Sequence, residues 1–144
     1  MASLGKPSAL VRPTLDTKFH IDYDWWERSN DDLRIYLLSH LPPERRSHLS
    51  QISEGEVVDY IDPDTAEVFQ FDALQLALQE SAKDPEFITP QTATVDGIFR
   101  IFLRNKNQPL TSRELGEQLG KSPDTILRTI SGRQIYKGIR PIVN

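Results

Sequence analysis

One stretch of this chain, residues 110–132 (LTSRELGEQLGKSPDTILRTISG), constrains the fold more than any other. Its first half has the pattern of a short helix, because Leu115 and Leu119 lie four residues apart and so share one helical face. Thr111 or Ser112 stands just before this pattern, and either hydroxyl can cap the first backbone N–H groups of a helix. The sequence therefore predicts a helix that begins near residue 112.

The second half of the stretch predicts a turn followed by another helix. Gly120 can take the left-handed conformation that ends a helix. Ser122 is a good cap, and Pro123 suits the first helical position because its missing N–H would be unpaired there anyway. The second helix is expected to stop at Gly132. Its apolar face consists of Ile126, Leu127 and Ile130, and its outward positions are Asp124, Thr125, Arg128 and Thr129.

The run E-L-G-E-Q-L-G-K-S-P-D-T-I-L-R-T-I resembles the helix-turn-helix of bacterial DNA-binding proteins. The resemblance covers about 20 residues and implies that the second helix enters the major groove, where its outward side chains reach base edges. Lys121 is a departure from the pattern, because such motifs usually carry an apolar residue there. The turn could therefore pack differently.

The flanking segments extend the resemblance to the winged helix-turn-helix superfamily. Residues 133–143 (RQIYKGIRPIV) contain two short β-prone runs around Lys137-Gly138, which predicts a two-residue hairpin turn and hence a wing. Upstream, Thr94 would cap a helix that ends near residues 105–107 and has apolar residues at helical spacing: Val95, Ile98, Phe99, Phe102 and Leu103.

The resemblance implies a set of DNA-binding residues on the turn, the second helix and the wing. Arg128 is expected to read a base edge, and the cations of the wing are expected to meet the phosphate backbone. The full set is Lys121, Ser122, Asp124, Thr125, Arg128, Thr129, Arg133, Lys137 and Arg140.

The sequence predicts an α+β fold with three parts. Residues 1–17 have little apolar periodicity and are interpreted as a mobile arm. Residues 18–87 form an acidic α/β portion with N-terminal helices and a β-hairpin. Residues 88–144 form the winged helix-turn-helix.

Within the acidic portion, Ser29 or Asn30 would cap a helix whose core side carries Leu33, Leu37, Leu38 and Leu41. Residues 44–50 are expected to form a short helix, residues 56–71 a hairpin, and residues from Asp72 a further helix. The adjacent Trp25 and Trp26 are either core residues or a patch for a protein partner.

Charge is distributed unevenly along the chain, whose formal net charge is −4. Residues 100–144 contain nine Lys or Arg against three acids, a balance of +6, so the first 99 residues carry −10. A basic segment that coincides with the helix-turn-helix suits contact with phosphates. The alternative is a charge-balanced protein whose acidic half faces its basic half.

Two classes of function remain. The first is a DNA-binding protein, a transcriptional regulator that reads duplex DNA, whose acidic portion provides self-association or a protein contact. The second is a protein-interaction adaptor of transcription or other nucleic-acid machinery, since winged helices also bind proteins. RNA binding by the same basic face is a further alternative.

An enzyme is the least expected class. The chain has no cysteine, no glycine-rich phosphate loop and no nucleophile elbow. The three histidines lack metal-ligand spacing, so neither a metal nor a cofactor is expected. No apolar run approaches the length of a membrane span or a signal peptide, and a cytoplasmic location is therefore expected.

Overall fold

The computed structural model describes residues 12–50, 57–61 and 63–142. This part of the chain has a mixed α+β fold with seven α-helices, which confirms the predicted class at that level. In chain order the elements are β1 (Lys18–Ile21), α1 (Tyr23–Arg28), α2 (Leu33–Leu38), α3 (Pro43–Ser50), β2 (Val57–Ile61), β3 (Val68–Asp72), α4 (Ala73–Ala82), a 3-10 turn (Pro85–Phe87), α5 (Thr94–Arg104), β4 (Leu110–Thr111), α6 (Ser112–Leu119), α7 (Pro123–Ile130) and β5 (Ile139–Pro141).

The chain divides into two compact units. The first, called here the helix-turn-helix unit, takes the chain up to Arg28 and resumes at Ile88. The second, called the inserted unit, is Ser29–Phe87. The inserted unit thus interrupts the sequence of the helix-turn-helix unit between α1 and the segment that leads into α5.

A three-stranded antiparallel sheet belongs to the helix-turn-helix unit, with strand order β4-β1-β5. Lys18 pairs with Thr111, and His20 pairs with Arg140. The two faces of β1 differ, because Phe19 and Ile21 are 0% and 1% exposed while the residues between and before them are not buried. This alternation is what a strand with one face on a core requires.

The Asn107 side chain links the loop after α5 to the end of β1 through hydrogen bonds. Its side-chain oxygen accepts from the Ile21 N–H at 2.8 Å, and its side-chain nitrogen donates to the Ile21 carbonyl at 2.9 Å. The side chain thereby replaces a neighbouring strand at this point and satisfies both backbone groups of Ile21.

The sequence predicted that residues 18–28 belong to the same portion of the fold as the residues up to 87. In the structure, the strand in this segment, β1, pairs with β4 and β5 instead.

The core of this unit combines the N-terminal elements with the three C-terminal helices. Trp26 of α1 is 4% exposed, and its ring meets the Phe99 ring edge to face at a centroid distance of 6.3 Å. This places Trp26 in the core. Trp25 is only half-buried and contacts Trp26. The other buried apolar residues here are Ile98, Ile101, Phe102, Leu115, Ile126, Ile130 and Ile139.

The predicted wing differs from the structure. The predicted turn is present: Lys137 and Gly138 have φ angles of 56° and 77°, and the Ile139 N–H donates to the Tyr136 carbonyl at 3.0 Å. The two runs around it do not pair with each other, however, because residues 133–136 form no strand and β5 pairs with β1 instead. A β-prone run shows that a strand can form, but its pattern does not identify the partner strand.

The inserted unit contains the hairpin that the sequence predicted. Strands β2 and β3 pair antiparallel, from Val57 opposite Asp72 to Ile61 opposite Val68. The predicted turn residue Asp62 lies outside the described residues. The following helix, α4, turns one face inward and buries Leu74, Ala77, Leu78 and Ala82.

Helix α2 differs from the expected one in its cap and its burial. Its cap is Asp32, whose carboxylate accepts from the Ile35 N–H at 3.1 Å, and not Ser29 or Asn30. None of its residues is buried, and Ile35 is 65% exposed. Of the four leucines expected in the core, only Leu41, beyond the end of the helix, is buried.

Two smaller expectations concern the ends of the helix-turn-helix unit. Helix α5 begins at Thr94 as an ordinary first residue, and the capping position is Ala93, which makes no side-chain cap. The predicted mobile arm lies outside the described residues as far as residue 11. From Thr14 to Thr17 the chain forms a turn, in which the Thr17 N–H donates to the Thr14 carbonyl at 3.1 Å.

Candidate nucleic-acid interface

Helices α6 and α7 meet across the short turn that the sequence predicted. Gly120 ends α6 in the left-handed conformation, with φ 67° and ψ 33°. The Lys121 N–H then donates back to the Gly116 carbonyl at 2.9 Å. A Cβ on Gly116 would lie 2.5 Å from the Lys121 carbonyl oxygen, so only glycine allows the turn to approach α6 this closely.

Side-chain caps define where both helices begin. Thr111 accepts from the Glu114 N–H at 3.2 Å, and the Glu114 carboxylate accepts from the Thr111 N–H at 2.9 Å, which is a complete capping box. Ser122 accepts from the N–H groups of Asp124 and Thr125 at the start of α7. Such caps contribute on the order of 1 kcal/mol each to the stability of a helix.

The outward face of α7 is formed by Asp124, Thr125 and Arg128. Ile126 and Ile130 on the opposite face are 0% and 5% exposed and attach the helix to the core. The Arg128 side chain takes part in no ion pair or hydrogen bond within the part of the chain that the structure describes. Its guanidinium is therefore available to a ligand on this face.

The other predicted site residues on and around α7 differ in their exposure and in whether their polar groups can still bind a ligand. Ser122 is exposed, but its oxygen serves as the cap. Thr129 is half-buried, and its hydroxyl donates to the Thr125 carbonyl at 2.8 Å, so that its only proton is already used. Lys121 is half-buried in the turn, and Arg133 is exposed just beyond the helix.

The segment around Lys137 is tied to the N-terminal segment by several hydrogen bonds. The Trp26 indole N–H donates to the Lys137 carbonyl at 3.1 Å, and the Asp22 N–H donates to the Gly138 carbonyl at 2.7 Å. Arg140 donates to the Asp22 carboxylate at 3.1 Å and is half-buried. Arg140 is therefore part of the link between β5 and β1 as well as a basic residue of the predicted site.

Arg113 is a basic residue of the helix-turn-helix that the sequence prediction omitted. It is the second residue of α6, its side chain is 58% exposed, and it pairs with Asp16 at 3.2 Å. The helical pattern of residues 112–119 already places it outside the apolar face. The pairing with Asp16 depends on the fold, since the two residues are 97 positions apart in the chain.

The two units carry net charge of opposite sign. The inserted unit contains four Lys or Arg and thirteen Asp or Glu, a net charge of −9. The helix-turn-helix unit contains thirteen Lys or Arg and eight Asp or Glu, a net charge of +5. The exposed face of α7 thus belongs to the unit whose net charge attracts phosphate.

The described residues contain no helix that could cross a membrane, since the longest, α5, has 11 residues.

Comparison of the chain with protein-family models, with curated proteins and with solved structures finds no match. The candidate interface therefore depends on the geometry of α6 and α7, on their exposed side chains and on the charge of the unit.

Proposed function

We propose that this protein binds duplex DNA by placing α7 in the major groove, and that it acts as a transcriptional regulator. The observation that carries the proposal is the arrangement of α6, the turn at Gly120 and α7, in which the second helix exposes Arg128 and Thr125 on one face. This is the arrangement by which helix-turn-helix proteins present a recognition helix.

Arg128 is suited to recognise a base because its guanidinium is exposed on the outward face of α7 and makes no ion pair or hydrogen bond with the described residues. A guanidinium can donate two hydrogen bonds to one guanine in the major groove, which distinguishes that base from the others. Thr125 lies three residues earlier on the same face, where its hydroxyl can accept or donate and its methyl can contact thymine.

Phosphate contacts would come from the basic residues around α7. Lys121 precedes the helix and Arg133 follows it, so a cation lies near each end of α7. Phosphate contacts position a recognition helix without specifying sequence. The net charge of +5 on the unit also favours approach to DNA.

Replacement of Arg128 tests the reading role. We expect Arg128→Ala to weaken binding to a selected duplex by about 1 to 3 kcal/mol and to reduce discrimination at one base position. The matched control is Arg46→Ala, which removes the same charge from an exposed position on α3. Fluorescence anisotropy with both variants, each checked by circular dichroism, measures the difference. Equal affinities of the two folded variants would remove Arg128 from the interface.

A second function, contact with a protein, is favoured by the inserted unit. Its Ile35, Ile61 and Val68 are 63% to 65% exposed, and the last two lie opposite each other in the hairpin. Exposed apolar residues that lie together mark protein interaction sites, whereas single ones do not, so the paired Ile61 and Val68 carry this candidate. Sedimentation of the full chain over a range of concentrations tests self-association, and a monomer at every concentration would exclude it.

A further inference from the structure

Two arginines from the part of the helix-turn-helix unit that follows Ile88 form ion pairs with acids of the N-terminal segment, residues 12–28, but the two pairs differ in how exposed they are. Arg113 pairs with Asp16 at 3.2 Å, and the two side chains are 58% and 82% exposed. Arg140 pairs with Asp22 at 3.1 Å, where the side chains are 38% and 22% exposed.

Asp22 is held in place by further hydrogen bonds of its carboxylate and its backbone. Its second carboxylate oxygen accepts from the Asp24 N–H at 3.0 Å at the start of α1. Its backbone N–H donates to the Gly138 carbonyl, and its backbone carbonyl accepts from the Trp25 N–H. An anion that displaced Asp22 from Arg140 would have to compete with this whole set.

Asp16 has no comparable support. Its carboxylate is held by Arg113 alone among the described residues, and solvent reaches most of the side chain. A pair exposed to this extent contributes little to folding and opens readily. Arg113 can therefore exchange its partner without loss of the fold.

We propose that a DNA phosphate replaces Asp16 at Arg113 when the protein binds duplex, so that Asp16 is a built-in competitor of the DNA backbone. The inference depends on the proposed function. In helix-turn-helix complexes the first helix crosses the backbone, and Arg113 is exposed at the N-terminal end of that helix. A guanidinium binds phosphate with two parallel hydrogen bonds, which a single bond to Asp16 does not match.

Neighbouring acids do not take over the role of Asp16. The carboxylate of Glu114 already accepts from the Thr111 N–H in the capping box. Glu117 is exposed one turn further along α6 and has no ion pair within the described residues. Asp16 is therefore the acid whose removal should release Arg113.

The test is a double-mutant cycle on the full chain, with a random-sequence duplex as the probe. Asp16→Asn should tighten binding about two- to five-fold, since it removes one weak competing ion pair. The matched control is Asp24→Asn, which removes the same charge from an exposed acid of the same segment that forms no ion pair with the described residues. We expect a smaller gain from the control.

Arg113→Gln completes the cycle. It should weaken binding and reduce the slope of log affinity against log salt by about 0.9, the value for one lost phosphate contact. In the Arg113→Gln background, Asp16→Asn should give no more gain than Asp24→Asn does. Circular dichroism and urea unfolding establish that the variants are folded to the same extent.

Two outcomes would overturn the inference. If Asp16→Asn and Asp24→Asn give equal gains, or if the extra gain persists without Arg113, the exchange is wrong while DNA binding stands. If neither the wild-type chain nor any variant binds duplex at low salt, the proposed function is wrong and the exchange fails with it.

Discussion

At the scale of single residues, Gly116 decides whether α6 and α7 can meet as they do. Because its missing Cβ would lie 2.5 Å from the Lys121 carbonyl oxygen and 3.3 Å from the Pro123 nitrogen, any side chain would push the turn away. Gly116→Ala should therefore lower the free energy of unfolding by about 1 to 3 kcal/mol, the usual cost of overpacking. Urea unfolding followed by circular dichroism measures the change.

Gly132 provides the control for this substitution. A Cβ at Gly132 would meet no heavy atom within 4 Å beyond its chain neighbours, so Gly132→Ala should cost nothing and can gain up to about 1 kcal/mol through the unfolded chain. If the two alanine variants unfold at the same urea concentration, the close approach of the turn to α6 is contradicted.

At the scale of elements, β1 and α1 complete a core that the C-terminal helices cannot close alone. Phe19, Ile21 and Trp26 are each at most 4% exposed and come from outside the segment after Ile88. A fragment that begins at Pro85 retains α5, α6 and α7 but loses these three side chains and the central strand of the sheet. Each large core side chain contributes several kcal/mol, which is a large part of a small unit's stability.

We therefore expect the fragment from Pro85 to show no cooperative thermal transition. The full chain should show one under the same conditions, as measured by circular dichroism at 222 nm, the usual wavelength for helices. A sharp transition in the fragment would show that the N-terminal elements are dispensable.

The elements that the sequence predicted correctly are those with local signals. The end of α6 and the start of α7 are marked by three neighbouring residues, Gly120, Ser122 and Pro123. The structure places the turn and the cap of α7 at these residues. Ile126 and Ile130 are buried as their spacing predicted. These signals act over one or two helical turns, so a single sequence is enough to recognise them.

The elements that sequence could not predict depend on contacts between distant residues. Strand β1 has four residues, and its partners Thr111 and Arg140 are about a hundred positions away. The hydrogen bonds of Asn107 to Ile21 span 86 positions. No local pattern specifies such a partner, and for that reason the β-prone run before Val143 predicts a wing hairpin and not a strand paired with β1.

At the scale of the whole molecule, the fold places charge of opposite sign in two units. The inserted unit carries −9 and the helix-turn-helix unit +5. A chain in which a flexible Gly/Ser linker replaces residues 29–87 should retain β1, α1 and the C-terminal helices. Without the acidic residues, its long-range field is positive, and it should bind duplex more tightly than the full chain at low salt.

This gain should shrink as salt rises, because screening removes the long-range contribution of the inserted unit first. Anisotropy titrations of both chains at low and high salt measure it, after circular dichroism has shown that the shortened chain is folded. A folded shortened chain with the same affinity as the full chain at low salt would show that the acidic unit does not influence DNA binding.

The proposed function requires α7 and the cations around it to bind duplex DNA. Its most direct test is the affinity of the full chain for a random-sequence duplex, followed by fluorescence anisotropy across a salt series. Phosphate contacts from Arg113, Lys121 and Arg133 predict a slope near −2.7, so that affinity falls roughly 40-fold between about 50 and 200 mM salt. No measurable binding at the lowest salt, by a chain that circular dichroism shows to be folded, would show that the proposed function is wrong.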